Sequence, residues 1–163
     1  MKGIDHLVLA GHDLEALRSA CQAFGFAMMP RGSLPFGISN SVIPLQGSYL
    51  EILSVTGDVP EHSPGHFSFG AFNRDYLGRH EGFSMLVLDT TDARADILSW
   101  REAGFQVYEP FDFSKTYDAG RRECNARLLP GICNPSGSAV VWAICLPIQA
   151  AAVLRSAAIP EPL

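Results

Sequence analysis

Two short stretches of the chain place titratable side chains where a strand pattern calls for apolar ones. In GIDHLVLA, residues 3–10, alternation sets His6 on one face with Ile4, Val8 and Ala10; in SYLEILS, residues 48–54, it sets Glu51 beside Tyr49 and Leu53. An imidazole and a carboxylate carried inward in this way can be a hydrogen-bonded pair, because a buried carboxylate requires a partner whatever its role. They can equally be working groups, with Glu51 a general base and His6 the residue that orients it or a substrate oxygen. Tyr49 shares the face with Glu51 and is a candidate ligand contact. Asn40, between Ser39 and Ser41, is either a turn residue bonded to its own backbone or a hydrogen-bonding group for a ligand. Arg127, in the strand-like NARLL, is either an anion contact or an ion-paired arginine, and His12 reads as a loop residue.

The elements that must position these residues are organised by an internal repeat. GIDHLVLAGHDLEALRSACQAFGFAM, residues 3–28, aligns without a gap on GFSMLVLDTTDARADILSWREAGFQV, residues 82–107. Gly3, Leu7, Val8, Leu9, Asp13, Ala16, Gly25 and Phe26 meet identical residues at Gly82, Leu86, Val87, Leu88, Asp92, Ala95, Gly104 and Phe105. Each copy reads as an apolar strand, an Asp suited to capping, a helix, and a Gly where the helix stops. Leu14, Leu17, Cys21 and Phe24 form an apolar stripe at helical spacing in the first copy, and Ala93, Ile97, Trp100 and Ala103 do so in the second.

Three further strand-like segments follow each helix: 26–31, 38–45 and 48–55, then 105–109, 121–129 and 138–146. The unit is therefore βαβββ, twice, an α+β fold whose two mixed, curved sheets would enclose a shared cleft. The expected organisation is a single domain over 1–163: module 1 at 1–56, a connector at 57–81 with one helical turn, module 2 at 82–146, and a C-terminal helix over 147–163 that Pro147 starts. In the connector, Phe67, Phe69, Phe72 and Tyr76 either fill the core or close over the cleft.

Composition narrows the function classes. The 163 residues are 47% hydrophobic and 18% charged, with a net charge of −5, which suits a folded chain and argues against a nucleic-acid partner that needs a phosphate-neutralising surface. No apolar run approaches the ~20 residues that span a bilayer, and no signal-peptide pattern opens the chain, so the expected location is the cytoplasm with no membrane partner. Cys21, Cys124, Cys133 and Cys145 show no CxxC spacing, and they read as reduced thiols.

The duplicated unit, the DHLVLAGHDLEAL opening and the YLEIL strand that closes the first module resemble the vicinal oxygen chelate superfamily, which contains glyoxalase I, extradiol dioxygenases and bleomycin-resistance binding proteins. Within it, LPFGISNSVIPLQGSYLEILSV (34–55) and FSKTYDAGRRECNARL (113–128) are similar to the glyoxalase-like domain group, with Lys115 where Arg is usual. The resemblance implies that His6 and Glu51 point into the cleft as metal ligands, for Zn, Ni, Mn or Fe, and that the cation polarises two vicinal oxygens of a substrate. It implies lyase or dioxygenase chemistry on a small oxygen-rich metabolite, and a homodimer as a plausible assembly.

The second module departs from that pattern. His6 aligns with Met85, and YLEIL aligned on VVWAI sets Trp142 against Glu51, so a third ligand would have to come from His62, His66 or His80 of the connector or from a second chain. The alternative is a metal-free binding protein in which Met85 and Trp142 make a more apolar pocket for a small-molecule ligand.

Overall fold

A computed structural model describes residues 3–105, 107–108, 114–118, 123–127 and 142–147. Its elements run β1 (Ile4–Ala10), α1 (Leu14–Ala23), β2 (Gly32–Leu34), β3 (Ile38–Leu45), β4 (Ser48–Val55), α2 (Phe69–Leu77), β5 (Gly82–Thr90), α3 (Ala93–Glu102), β6 (Ser114–Asp118), β7 (Glu123–Arg127) and β8 (Trp142–Pro147). The main sheet has the order β2-β3-β4-β1-β5-β8, and β6 pairs with β7 in a separate ladder. The protein is thus α+β, and the order β, α, β, β, β occurs twice with α2 between. The chain divides into two compact units, the larger built on Ile4–His62 and Ser68–Val87, the smaller containing Ser63–Phe67 and Leu88–Ile144.

The repeat is visible in how the two helices begin and end. Asp13 caps α1 by accepting from the backbone N–H of Glu15 and Ala16, and Asp92 caps α3 by accepting from that of Ala95. At the other ends Gly25 (φ +88°) and Gly104 (φ +85°) adopt the left-handed conformation, which a residue with a Cβ enters only at a cost. Each is followed by the same pair of bonds: Gly25 N–H to Gln22 and Phe26 N–H to Cys21, Gly104 N–H to Arg101 and Phe105 N–H to Trp100. These are paired Schellman caps, so the aligned Asp, Gly and Phe of the sequence repeat specify the same two helix boundaries.

In the larger unit β4 is central, parallel to β1 and antiparallel to β3. The two-residue turn Gln46–Gly47 joins β3 to β4 and sets their register, pairing Leu45 with Ser48 and Val42 with Glu51. One sheet face carries Leu9, Ile43, Leu50 and Ile52, which pack with Leu14, Leu17 and Cys21 of α1. The opposite face carries His6, Val8 and Ala10 of β1, Tyr49, Glu51 and Leu53 of β4, and Asn40 of β3, all buried. α2 also packs against β4.

Several boundaries differ from the sequence expectation. Residues 26–31 do not form a strand: Met29 makes one backbone bond to Val42, Pro30 has no N–H to continue the ladder, and pairing starts at Gly32. Phe105, Val107 and Tyr108 lie outside regular structure, and among the described residues the next strand is β6. The connector holds a nine-residue helix rather than one turn; Ser68 caps it by accepting from the Ala71 N–H. Phe24 is 83% exposed, because α1 ends at Ala23 and the helical period no longer places it, and Ile4, the first residue of β1, is 54% exposed rather than buried with His6. The expected C-terminal helix lies outside the described residues, except that Pro147 closes β8. Among the described residues no helix is long and apolar enough to cross a membrane.

Candidate functional site

His6 and Glu51 come together on the inner face of three adjacent strands. The parallel register places His6 beside Tyr49 and Val8 beside Glu51, so the two titratable residues are diagonal neighbours, within reach of each other's side chains. His6 Nε2 lies 3.6 Å from Glu51 Oε2. On the far side of β4, Asn40 is diagonal to Glu51 in the antiparallel register, and its Nδ2 donates to Glu51 Oε1. Asn40 is therefore a buried strand residue held by the carboxylate, not a turn residue.

The imidazole is fixed from two other directions. Its ring stacks on that of Tyr49, with centroids 4.2 Å apart and planes 14° from parallel. Its Nδ1 lies 2.6 Å from Oδ2 of the preceding residue, Asp5. Tyr49 thus packs against His6 as well as sharing its face with Glu51. Asp5 is the member of this cluster that strand alternation hid, since neighbouring residues point to opposite faces; the adjacency Asp5-His6 in the sequence was the only signal.

Burial and charge act in opposite directions on His6. Burial is the largest single influence and by itself disfavours the imidazolium, but the hydrogen bond to Asp5, the nearby Glu51 carboxylate and their charges together outweigh it and raise the His6 pKa above its ordinary value of 6.5. A group whose pKa is raised on folding binds its proton more tightly in the folded state. Its contribution to stability is therefore complete below about pH 6.5, the unfolded value, and is lost as pH climbs through the higher folded value. Denaturant midpoints measured from pH 5.5 to 8.5 should accordingly fall more steeply above about pH 6.5 in the parent than in His6→Gln; parallel curves for the two proteins would contradict the raised pKa.

Glu51 is fully buried. Asn40 satisfies Oε1, whereas Oε2 has no hydrogen-bond partner. A buried carboxylate oxygen in that state is costly unless something else occupies the position beside it. An imidazole nitrogen and a carboxylate oxygen are donors that zinc, nickel, manganese and iron all accept, so the orphaned oxygen beside the imidazole fits one end of a divalent cation site. Among the described residues no group of three or more His, Cys, Asp and Glu side chains is arranged to hold an ion. Of the connector histidines, His62 meets Asp75 at 3.3 Å, His80 packs edge-on to Tyr76, and His66 is exposed.

The remaining sequence candidates divide between the two units. Met85, on β5, is 1% exposed. Arg127 closes β7 and Trp142 opens β8, and their side chains fall outside the described residues. Of the connector aromatics, Phe69 and Tyr76 are buried, which makes them core residues of the larger unit. His12 is an exposed loop residue whose backbone N–H donates to the Glu81 carboxylate.

The chain is an α+β protein in which the order β, α, β, β, β occurs twice, and the first of these modules carries a buried imidazole and carboxylate on one sheet face. A family model for the glyoxalase-like domain matches residues 4–147, and the chain belongs to that family. No curated protein matches the sequence. Among solved structures, the chain is similar to a hypothetical protein, BH1468, from Bacillus halodurans, with 15% identity, a TM-score of 0.50 and coverage of 88% of this chain and 93% of that one. It is also similar to methylmalonyl-CoA epimerase from Mycobacterium tuberculosis, with 19% identity, a TM-score of 0.49 and coverage of 91% of each chain. At 15% identity the likeness to the Bacillus halodurans protein speaks to the fold alone.

Proposed function

We propose that the protein acts on a small oxygen-rich metabolite at the inner face formed by His6, Glu51, Asn40 and Tyr49, with lyase or dioxygenase chemistry that a divalent cation assists. The observation that carries this reading is Glu51 Oε2, buried without a partner and 3.6 Å from His6 Nε2. Those two atoms would hold the cation. When bound, it supplies Lewis-acid polarisation of two neighbouring oxygens on the substrate. Asn40 keeps Glu51 in place through Oε1, so Oε2 remains the atom that binds or takes up a proton. Tyr49 offers an aromatic surface beside the imidazole.

Elemental analysis and zinc titration of protein purified without metal-affinity resin test this reading. Zinc uptake approaching one ion per chain is expected, with affinity that rises with pH because the cation must displace the proton on His6, and with loss of uptake in the His6→Ala, Glu51→Gln double variant. Absence of uptake in the parent would remove the cation. Saturable binding of a small aromatic or aliphatic ligand, unaffected by chelator, would then favour a binding protein, to which the buried Met85 contributes apolar surface.

A further inference from the structure

The cluster contains one polar side chain that neither the sequence pattern nor the proposed chemistry uses. Asp5 is half-buried on β1, and its Oδ2 is 2.6 Å from His6 Nδ1. A contact that short requires a hydrogen between the two atoms, and a carboxylate can only accept. The proton therefore belongs to Nδ1. The other ring nitrogen, Nε2, is the one that faces Glu51 Oε2.

Stacking on Tyr49 fixes the plane of the ring but not which edge faces which neighbour. Turning the imidazole over within that plane would keep the stack and carry Nδ1 away from Asp5. The hydrogen bond to Asp5 is thus the contact that selects one orientation and one tautomer. The tautomer matters because a cation, or a proton to be moved, needs the lone pair on the nitrogen facing Glu51, and that lone pair exists in the neutral ring only when the hydrogen is on the other nitrogen.

We infer that Asp5 is a positioning residue that locks His6 as the Nδ1–H tautomer and so reserves Nε2 for whatever occupies the site beside Glu51. This assignment extends the reading of the site given above, but it does not depend on a cation being present.

Nitrogen-15 spectra of histidine-labelled protein, recorded where His6 is neutral, report the tautomer directly. In the parent, Nδ1 should carry the hydrogen and Nε2 should be bare. Asp5→Asn should keep that pattern, because its amide carbonyl still accepts from Nδ1, whereas Asp5→Ala should move His6 to the Nε2–H form or to a mixture, with the amide spectrum otherwise native. Zinc affinity in Asp5→Ala should fall by about 10–100-fold relative to the parent. A hydrogen on Nε2 in the parent, or an unchanged tautomer in folded Asp5→Ala, would overturn the assignment. Should Asp5→Ala not fold, Asp5→Leu, which has nearly the shape of the native side chain and no acceptor, should show the same shift, and an unchanged tautomer there would overturn the assignment. A tautomer that shifts as expected in a protein that binds no zinc would uphold the role of Asp5 and overturn only the cation reading.

Discussion

Glu51→Gln should reduce turnover by at least about 100-fold, the scale of losing a positioned acid–base group, while leaving the fold intact. The two halves of that expectation have separate physical causes. Glutamine has the shape of glutamate, and its carbonyl can still accept from Asn40, the bond that Glu51 Oε1 makes now. The amide NH2 would stand where Oε2 stands, and it can donate to the His6 ring. No buried group is therefore left unpaired, and the strand need not move. What is lost is the negative charge and the lone pairs at Oε2, the one atom of the pair that the protein leaves without a partner. Steady-state assays on small molecules with two neighbouring oxygens, such as 2-oxo acids, 2-hydroxy ketones and catechols, would identify the substrate in the parent and measure the loss in the variant. Unchanged turnover would remove Glu51 from the chemistry. The same substitution should lower the His6 pKa, since the Glu51 carboxylate is one of the groups that raise it.

Ile52→Ala should destabilise the protein by about 2–5 kcal/mol. Ile52 is fully buried and lies at the centre of the helix-facing layer with Leu14 and Ile43, against which Leu9, Leu17, Cys21, Met28 and Leu50 pack. Truncation removes apolar area from the interior and leaves a cavity. Its walls are β3, β4 and α1, elements tied together by the hairpin register and the helix caps, so they cannot close over it completely. Denaturant unfolding of parent and variant would measure the difference, and a loss below about 1 kcal/mol would show that the site collapses or that Ile52 packs less tightly than its burial implies. Because Glu51 is the adjacent residue on the same strand, the variant also tests how firmly the helix-facing layer holds the site on the other face.

The fold was legible in the sequence because its signals are local and occur twice. The aligned Asp13 and Asp92, and Gly25 and Gly104, do the same work at the same points of both helices. The strands at 38–45 and 48–55 match the observed β3 and β4 residue for residue. Where the reading failed, a long-range constraint or a chain-specific break had overridden the local pattern. Pro30 removes the donor that a strand over 26–31 would need, and the ladder starts two residues later, at Gly32. The nine-residue α2 carries little repeat signal, because the connector has no counterpart elsewhere in the chain.

By itself the sequence determined which residues share a strand face with His6 and with Glu51, because side-chain alternation is a property of each strand alone. It could not determine that they meet. That depends on β1 lying parallel beside β4 with His6 opposite Tyr49, a pairing between residues more than forty positions apart in the chain. The same packing decided that Asn40 would bond to Glu51 across the β3–β4 hairpin, that Tyr49 would stack on the imidazole, and that Asp5 would hold its other nitrogen. Alternation assigns a side chain to a face, whereas register and the orientation of a ring choose its partners, and these were fixed only when the strands were brought together.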